Sequence, residues 1–139
     1  MSKEIGLKYQ LSLEHELVKR GFVVCEVLGD YSPYDIVSDY NGKINRIQVR
    51  STHRRLSKRN RGFKVQCTVG NHQVILNKDM CDFLVIIGGK TDKIYIIPIE
   101  KINQKTIIIH PDKETYPKFQ KQEKRMKWEE YEEAWGLLK

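Results

Sequence analysis

The feature that most constrains this chain is a hairpin within Tyr34–Thr52, because it sets two strands and their register at once. A strand-like run ends at Tyr40, the turn Asn41-Gly42 follows, and a second strand-like run begins at Lys43. Asn-Gly readily adopts the positive φ angles that a two-residue hairpin turn requires. The sequence therefore predicts two antiparallel strands joined by a tight turn.

Three polar side chains of this hairpin indicate a chemical site. Gln48 and Arg50 are two residues apart in the second strand, so their side chains point to the same face. Pairing across the hairpin can bring Asp35 close to that face. A carboxylate, an amide oxygen and a fixed positive charge that meet at one point are typical of sites that handle phosphodiesters.

The net charge of +7 is concentrated in one part of the chain. From Tyr40 to Lys78 there is no Asp or Glu but there are ten Lys or Arg, which leaves 15 basic and 18 acidic residues elsewhere. This pattern favours a surface that faces a polyanion, the alternative being a solvated basic loop without a ligand. The residues predicted to contact DNA are Arg46, Ser51, Thr52, His53, Arg54, Arg55, Lys58, Arg59, Arg61 and Lys64.

Several further runs are rich in β-forming residues: Phe22–Leu28, Phe63–Val69, Asp82–Ile87, Lys93–Ile99 and Lys105–Ile109. The run Asp82–Ile87 is almost continuously apolar, which is typical of a strand buried on both faces. The polar residues 53–62 read as an exposed connection between strands 43–52 and 63–69. Those two strands would form a basic β-ribbon with the dimensions of a DNA groove.

Helical periodicity marks both ends of the chain. Over about residues 4–20, an apolar sector of Leu7, Leu11, Leu13, Leu17 and Val18 predicts a helix that ends at Gly21. Gln10 and Glu14 fall in the same sector, where they either reach water at the helix edge or line a site at the end of the sheet. Aromatic residues at helical spacing predict a second helix over residues 121–138, with core packing as their main use.

This order of elements predicts one α/β domain, residues 1–139, with a mixed central sheet flanked by an N-terminal and a C-terminal helix. No apolar run approaches the roughly 20 residues of a membrane span, and the first residues lack a signal-peptide profile. Cys25, Cys67 and Cys81 are widely spaced, which argues against a disulfide scaffold and a structural zinc site. We therefore expect no membrane partner and a cytoplasmic location.

Taken together, these residues resemble the PD-(D/E)XK nuclease superfamily. The match is closest to the branch typified by a group I intron-encoded homing endonuclease, in which glutamine stands at the second acidic position. It rests on Tyr34-Asp35-Ile36-Val37, Gly42 and Arg46-Ile47-Gln48-Val49-Arg50-Ser51-Thr52. Further matches over nearly the whole chain are Gly6, Asp82-Phe83, Ile94-Tyr95-Ile96-Ile97-Pro98 and Tyr131-Glu132-Glu133-Ala134-Trp135.

The resemblance implies a restriction-endonuclease-like core and metal-dependent hydrolysis of DNA, with Mg²⁺ as the cofactor and Mn²⁺ as a substitute. By analogy, Asp35, the Gln48 amide oxygen and the Val49 backbone carbonyl would hold the metal. The first-helix glutamate of the family falls on Gln10, and Glu14 stands one turn further on. The usual catalytic lysine falls on Arg50, which cannot transfer protons but can bind phosphate through two hydrogen bonds.

The resulting expectation is an endonuclease that cuts double-stranded DNA, with homing-type site specificity. Three alternatives stay open: a DNA-binding relative that no longer cuts, a resolvase-like or repair nuclease that acts on branched or nicked DNA, and a non-enzymatic scaffold protein. Because one small module covers only part of a long site, we expect a homo-oligomer, either a dimer or a tetramer.

Overall fold

The computed structural model of the protein describes residues 3–29, 31–53, 62–112 and 127–139. Within these ranges the chain forms one α-helix, α1 (Lys3–Lys19). Its strands are β1 (Val23–Glu26), β2 (Ile36–Tyr40), β3 (Lys43–Thr52), β4 (Phe63–Gln66), β5 (Thr68–Val69), β6 (Val74–Ile75), β7 (Phe83–Gly88), β8 (Lys93–Pro98) and β9 (Thr106–Ile109). Short 3₁₀ helices cover Ile99–Lys101, Glu129–Tyr131 and Trp135–Leu138.

A five-stranded mixed sheet with the order β1-β2-β3-β7-β8 forms the centre of the fold. β3 and β7 run parallel, and the other three pairs are antiparallel. The predicted hairpin is confirmed, because β2 and β3 are joined by Asn41 with a φ of 52° and Gly42 with a φ of 92°. Every residue of β7 is buried, as its apolar run predicted.

The predicted basic ribbon of strands 43–52 and 63–69 is wrong. β3 pairs with β2 and β7, whereas β4 pairs along its whole length with β9, and β5 pairs with β6. Phe63 and Val65 of β4 are buried with Ile107 and Ile109 of β9 in one apolar cluster, and this shared core draws β4 away from β3. The connecting residues 54–61 lie outside the described part of the chain.

The predicted C-terminal helix is not an α-helix in the part that the structure describes. Residues 127–139 form two 3₁₀ helices, and residues 113–126 lie outside the described ranges. The chain turns extended at Glu132, which forms a β-bridge with Tyr95, and Glu133 adopts a φ of 55°. The predicted packing role is confirmed, because Trp128 and Trp135 are both buried.

α1 packs on one face of the sheet with a narrower apolar face than predicted. Leu13 and Leu17 are fully buried, but Leu7, Leu11 and Val18 are 52%, 49% and 59% exposed. The prediction that all five share one buried face is therefore wrong for three of them. None of the described helices is long and apolar enough to cross a membrane.

The buried face of α1 is centred on Leu13 and Leu17, and at 100° per residue it also includes Gln10 and Glu14. The helix therefore turns a polar pair, rather than its remaining leucines, toward the sheet. Its predicted end is confirmed at Gly21, which has a φ of 92° and donates its N–H to the Val18 carbonyl at 3.1 Å.

Candidate active site

The hairpin register places the three predicted site residues on one face of the sheet. Ile36 pairs with Ile47, and both are buried on the face covered by α1. Strand alternation then puts Asp35, Gln48 and Arg50 on the opposite face. Asp35 and Gln48 line the same cavity, so the predicted juxtaposition is present in the fold.

Asp35 is held by both its backbone and its carboxylate. Its N–H donates to the Ile47 carbonyl at 2.8 Å, and its own carbonyl accepts the Val27 N–H at 3.2 Å. Asp35 Oδ2 accepts the Val49 N–H at 2.8 Å. Asp35 comes just before the first residue of β2, at a point where β3 continues beyond its partner strand. Its carboxylate accepts the hydrogen bond that a neighbouring strand would otherwise accept, and this contact fixes the position of the side chain.

The environment of Asp35 acts on its pKa in two directions. Burial raises the pKa of this carboxyl above its ordinary value, because a charged carboxylate loses hydration there. The Val49 N–H and the positive charge of Arg50 both lower it, by smaller amounts. Arg50 is therefore close enough to Asp35 to stabilise its ionised form.

A cavity of about 620 Å³ opens in front of Asp35 and Gln48. Its walls come from α1 through Gln10, from the loop between β1 and β2 through Tyr34, and from the end of β5 through Val69. A cavity of this volume is in the range that small-molecule and substrate-group sites occupy. Asp35 is the only carboxylate among its described lining residues.

Gln10 and Glu14 have different surroundings. Gln10 lines the cavity, whereas Glu14 is not among its lining residues and contacts Glu26 of β1 instead. Burial and the neighbouring Glu26 raise the pKa of Glu14 to about 7, and a hydrogen bond with Gln10 opposes this shift. One oxygen of Glu14, Oε2, is buried and makes no hydrogen bond within the described structure.

Arg50 combines one fixed donor with one unused donor. Its Nη2 donates to the Thr68 carbonyl at 3.0 Å, which anchors the guanidinium on β5. Its Nε is buried and has no hydrogen-bond partner within the described residues. A buried N–H without a partner costs about 1–3 kcal/mol, so an arriving oxyanion would recover that loss.

Arg46, which was predicted to contact DNA, is engaged inside the protein. Its backbone N–H and Nε donate to Asp82 Oδ2 at 2.8 and 3.2 Å, and its Nη2 donates to Asp82 Oδ1 at 3.2 Å. The guanidinium also donates to the carbonyls of Lys78 and Asp79. These contacts tie the start of β7 to β3, and the DNA contact of Arg46 stays a prediction.

The other residues predicted to bind DNA differ in their surroundings: some are buried in the fold, and others are exposed or line a cavity. Thr52 is buried and donates its hydroxyl to the Lys64 carbonyl at 3.0 Å, which argues for a structural role. Lys64 and Ser51 line a second cavity beside Arg50, and His53 is exposed. The structure does not describe Arg54, Arg55, Lys58, Arg59 or Arg61.

Two contacts near this surface carried no signal in the sequence. The His53 ring stacks on Tyr9 with ring centroids 4.4 Å apart and planes at 17°, and His53 Nε2 lies 2.6 Å from Asp92 Oδ1. The partners are 44 and 39 residues away along the chain. Only their meeting in the fold identifies Tyr9 and Asp92 as neighbours of the site.

The donor set at the cavity suits a hard cation held by few ligands. Asp35 supplies one carboxylate, and the Gln48 amide lies beside the Val49 carbonyl, with 3.4 Å between Gln48 Nε2 and that oxygen. Among the described residues no three His, Cys, Asp or Glu side chains come together as a metal cluster. Oxygen ligands in this number fit Mg²⁺ or Mn²⁺, which keep several waters, and do not fit a structural zinc site.

The chain belongs to the PD-(D/E)XK endonuclease family, whose pattern it matches over residues 2–136. The resemblance inferred from the sequence is thereby confirmed. Family membership makes the protein a nuclease by descent, and the roles of Asp35 and Gln48 in it stay predictions.

Two solved structures share this fold. A bacterial homing endonuclease, I-Ssp6803I, superposes with a TM-score of 0.78 over 99% of this chain and 93% of that chain, at 21% identity. The crystal structure of MepB superposes with a TM-score of 0.50 over 94% of this chain and 95% of that chain, at 16% identity. No curated protein matches the sequence. The first superposition confirms the predicted restriction-endonuclease-like core.

The Glu14–Glu26 contact gives a pH-dependent stability. With a folded-state pKa of about 7 against an ordinary 4.5, Glu14 keeps a proton in the folded chain that the unfolded chain releases. Its contribution to the free energy of unfolding is full below pH 4.5 and is lost as the pH rises through 7. Glu14→Gln, which cannot ionise, should therefore raise the urea midpoint at pH 8 and leave it almost unchanged at pH 4.

Glu4→Gln is the matched control, because Glu4 is an exposed glutamate of the same helix. It should give no gain at pH 8. An equal gain for Glu14→Gln at both pH values would show that the carboxyl pair does not titrate in this way.

Proposed function

We propose that this protein is a metal-dependent DNA endonuclease that hydrolyses phosphodiester bonds in double-stranded DNA with homing-type site specificity. The observation that carries the proposal is the Asp35 carboxylate, fixed by the Val49 N–H beside Gln48 and Arg50 at the floor of an open cavity. A buried carboxylate held next to a neutral oxygen and a cation is suited to a divalent ion and a phosphate at once.

In this proposal the metal is Mg²⁺, for which Mn²⁺ can substitute, and its protein ligands are Asp35, the Gln48 amide oxygen and the Val49 carbonyl. When bound, the cation supplies Lewis-acid polarisation of the phosphate and lowers the pKa of an attacking water. Asp35 Oδ2 accepts the Val49 N–H, and Oδ1 would be the oxygen that binds the ion. With one carboxylate in the set, affinity for the ion would depend on the substrate phosphate completing the shell.

Arg50 would bind the scissile phosphate and stabilise the charge that develops on it. Its Thr68 contact holds the guanidinium still, and the unused buried Nε offers a donor for an oxyanion. Arginine stays protonated at ordinary pH, so the proton of the attacking water must go to solvent or to the phosphate itself rather than to this residue. Gln10, at the cavity wall, can orient a water but cannot ionise.

One observation favours a second candidate function, a DNA-binding relative that does not cut. Asp35 is the single carboxylate among the described lining residues of the cavity, because Glu14 is turned to Glu26. A site with so little negative charge would bind Mg²⁺ weakly, and the fold with its basic surface would still hold DNA.

The first test compares Asp35→Asn with Asp79→Asn, an exposed aspartate outside the cavity. Asparagine retains an oxygen that can accept the Val49 N–H, so the fold should survive while the charge is lost. We expect cutting of duplex DNA in Mg²⁺ to fall by about 10³-fold, the equivalent of roughly 4 kcal/mol. Binding measured by fluorescence anisotropy in EDTA should stay within about twofold of the parent, since phosphate contacts dominate it.

Cutting by Asp35→Asn at the rate of Asp79→Asn would refute the metal assignment. A parent protein that binds duplex DNA but leaves it uncut in Mg²⁺ and in Mn²⁺ would instead establish the binding protein that does not cut.

The second test concerns Arg50 and the pH dependence of cutting. Because burial raises the pKa of Asp35, cutting should be lost as the pH falls through a value above the ordinary 3.8 of an aspartate. Arg50→Lys keeps the charge that opposes this shift, so its turnover should match or exceed that of the parent with the same acid limb. Arg50→Met removes the charge, so turnover should fall and the acid limb should move to higher pH.

If Arg50→Lys is as inactive as Arg50→Met, the two-donor geometry of the guanidinium is what the reaction needs. An acid limb that is identical in all three proteins would show that Asp35 is not the group that titrates.

We also propose that the protein works as a homo-oligomer in a reducing compartment such as the cytoplasm, in keeping with its three free cysteines. Leu7, Leu11 and Val18 lie on the same flank of α1 as Glu14, which contacts β1, the end strand of the central sheet. Leu7, Leu11 and Val18 on this flank and Val23 of β1 are all exposed apolar residues, of the kind that subunit contacts cover.

Light scattering on the purified protein should therefore give two or four times the 16.4 kDa of one chain. Leu11→Glu should lower that mass, and Ile44→Glu, a change at an apolar residue of β3 that is 61% exposed, should not. A mass of one chain for the parent would contradict the oligomer.

A further inference from the structure

A second cavity, of about 360 Å³, lies beside the candidate active site. It opens between the start of α1 and strands β3 and β4, and its polar or open lining positions are Gly6, Tyr9, Arg50, Ser51, Lys64 and Gln66. Arg50 connects the two cavities, because it lines this one and also acts on the charge of Asp35 in the first.

The spacing of the two cavities suits neighbouring groups of one DNA strand. Gln48 lines the first cavity and Arg50 lines the second, and the two are separated by two residues of β3. That separation is about 6.6 Å along a strand, which is on the order of the distance between consecutive phosphates of one DNA strand. A strand whose scissile phosphate lies at Asp35 would therefore bring an adjacent phosphate to the second cavity.

The charges of the second cavity favour an anion. Arg50 and Lys64 are both cations, and none of the described residues that line it is acidic. Asp92, whose partner His53 stacks on Tyr9, is paired with that histidine at 2.6 Å. His53 in turn stacks on Tyr9, so this pair supports the aromatic wall of the cavity from outside.

Gly6 is the feature that points to a ligand rather than to packing. A glycine inside a helix costs about 0.5–1 kcal/mol relative to alanine. Nothing in the fold requires it here, because a Cβ at this position would meet no atom within 4 Å and the backbone is ordinary helix. Because Gly6 lines the second cavity and has no side chain, the cavity stays open at this position.

We propose that the second cavity binds the phosphodiester group next to the scissile one, with Lys64 as its own cation, Arg50 shared between the two phosphates, and Gly6 as the position that admits it. The inference rests on the proposed function for its substrate, but it makes a claim about DNA binding that does not depend on cutting. The subsite would hold the strand in line at the metal site, which is how positioning contacts contribute to phosphoryl-group reactions.

The experiment compares Gly6→Glu with Gly136→Glu. Both replace a glycine at which a Cβ meets no atom within 4 Å, and both change the net charge equally, but Gly136 lies in the last 3₁₀ helix, away from either cavity. The probe is a fluorescent DNA duplex in EDTA, titrated over a range of salt concentrations. Gly6→Glu should weaken binding about tenfold or more and reduce the salt slope by about one unit, as loss of one phosphate contact implies.

Two further variants keep the result interpretable. Gly6→Gln places the same bulk without charge and should weaken binding less than Gly6→Glu does. Lys64→Gln changes an exposed residue, so it should fold like the parent and lose about one unit of salt slope as well.

The outcomes separate the subsite from the nuclease proposal. If Gly6→Glu and Lys64→Gln bind DNA as Gly136→Glu does, the second cavity is not a phosphate subsite, whether or not the protein cuts. If the parent cuts no DNA in any divalent metal while Gly6→Glu still loses affinity, the subsite stands and the catalytic assignment fails.

Discussion

The hydrogen bond from the Val49 N–H to Asp35 Oδ2 is the interaction on which the site depends. It lies just before the first residue of β2, where β3 continues beyond its partner strand. Without the carboxylate, the Val49 N–H would have no partner in the sheet at this point. The carboxylate satisfies that donor and is fixed by it, which joins the integrity of the sheet to the position of the charge. The same bond offsets part of the cost of burying the Asp35 carboxylate, and the charge of Arg50 offsets a further, smaller part.

Other parts of the fold around the site also place polar groups where apolar ones would be more stable. α1 directs Gln10 and Glu14 toward the sheet and leaves Leu7 and Leu11 half exposed, although the reverse would bury more apolar area. Glu14 then sits against Glu26 with a pKa raised to about 7. A polar helix face and a buried Nε on Arg50 without a partner among the described residues both reduce stability, and both would be accounted for if a metal ion and DNA complete the site as proposed.

Two arginines on the same face of the sheet, Arg46 and Arg50, have different surroundings. Arg46 and Asp82 tie β7 to β3 through several charged hydrogen bonds, and this parallel pair is the rigid base under the site. Arg50, four residues along the same strand, has one donor in the fold and one without a partner within the described residues. In sequence the two arginines look alike, and only their neighbours show that one guanidinium is engaged with Asp82 while the other keeps a donor without a partner among the described residues.

Local signals in the sequence determined the hairpin, the buried strand β7, the first helix and the shared face of Asp35, Gln48 and Arg50. Turn chemistry and side-chain alternation act over a few residues, so they could be predicted without a partner. Only the tertiary structure decided that β4 pairs with β9 and that α1 turns Gln10 and Glu14 toward the sheet. It also decided that Arg46 binds Asp82 and that Gly6 and Lys64 line the same cavity. Each of these depends on residues distant in the chain competing for the same surface, and no local pattern contains the result of that competition.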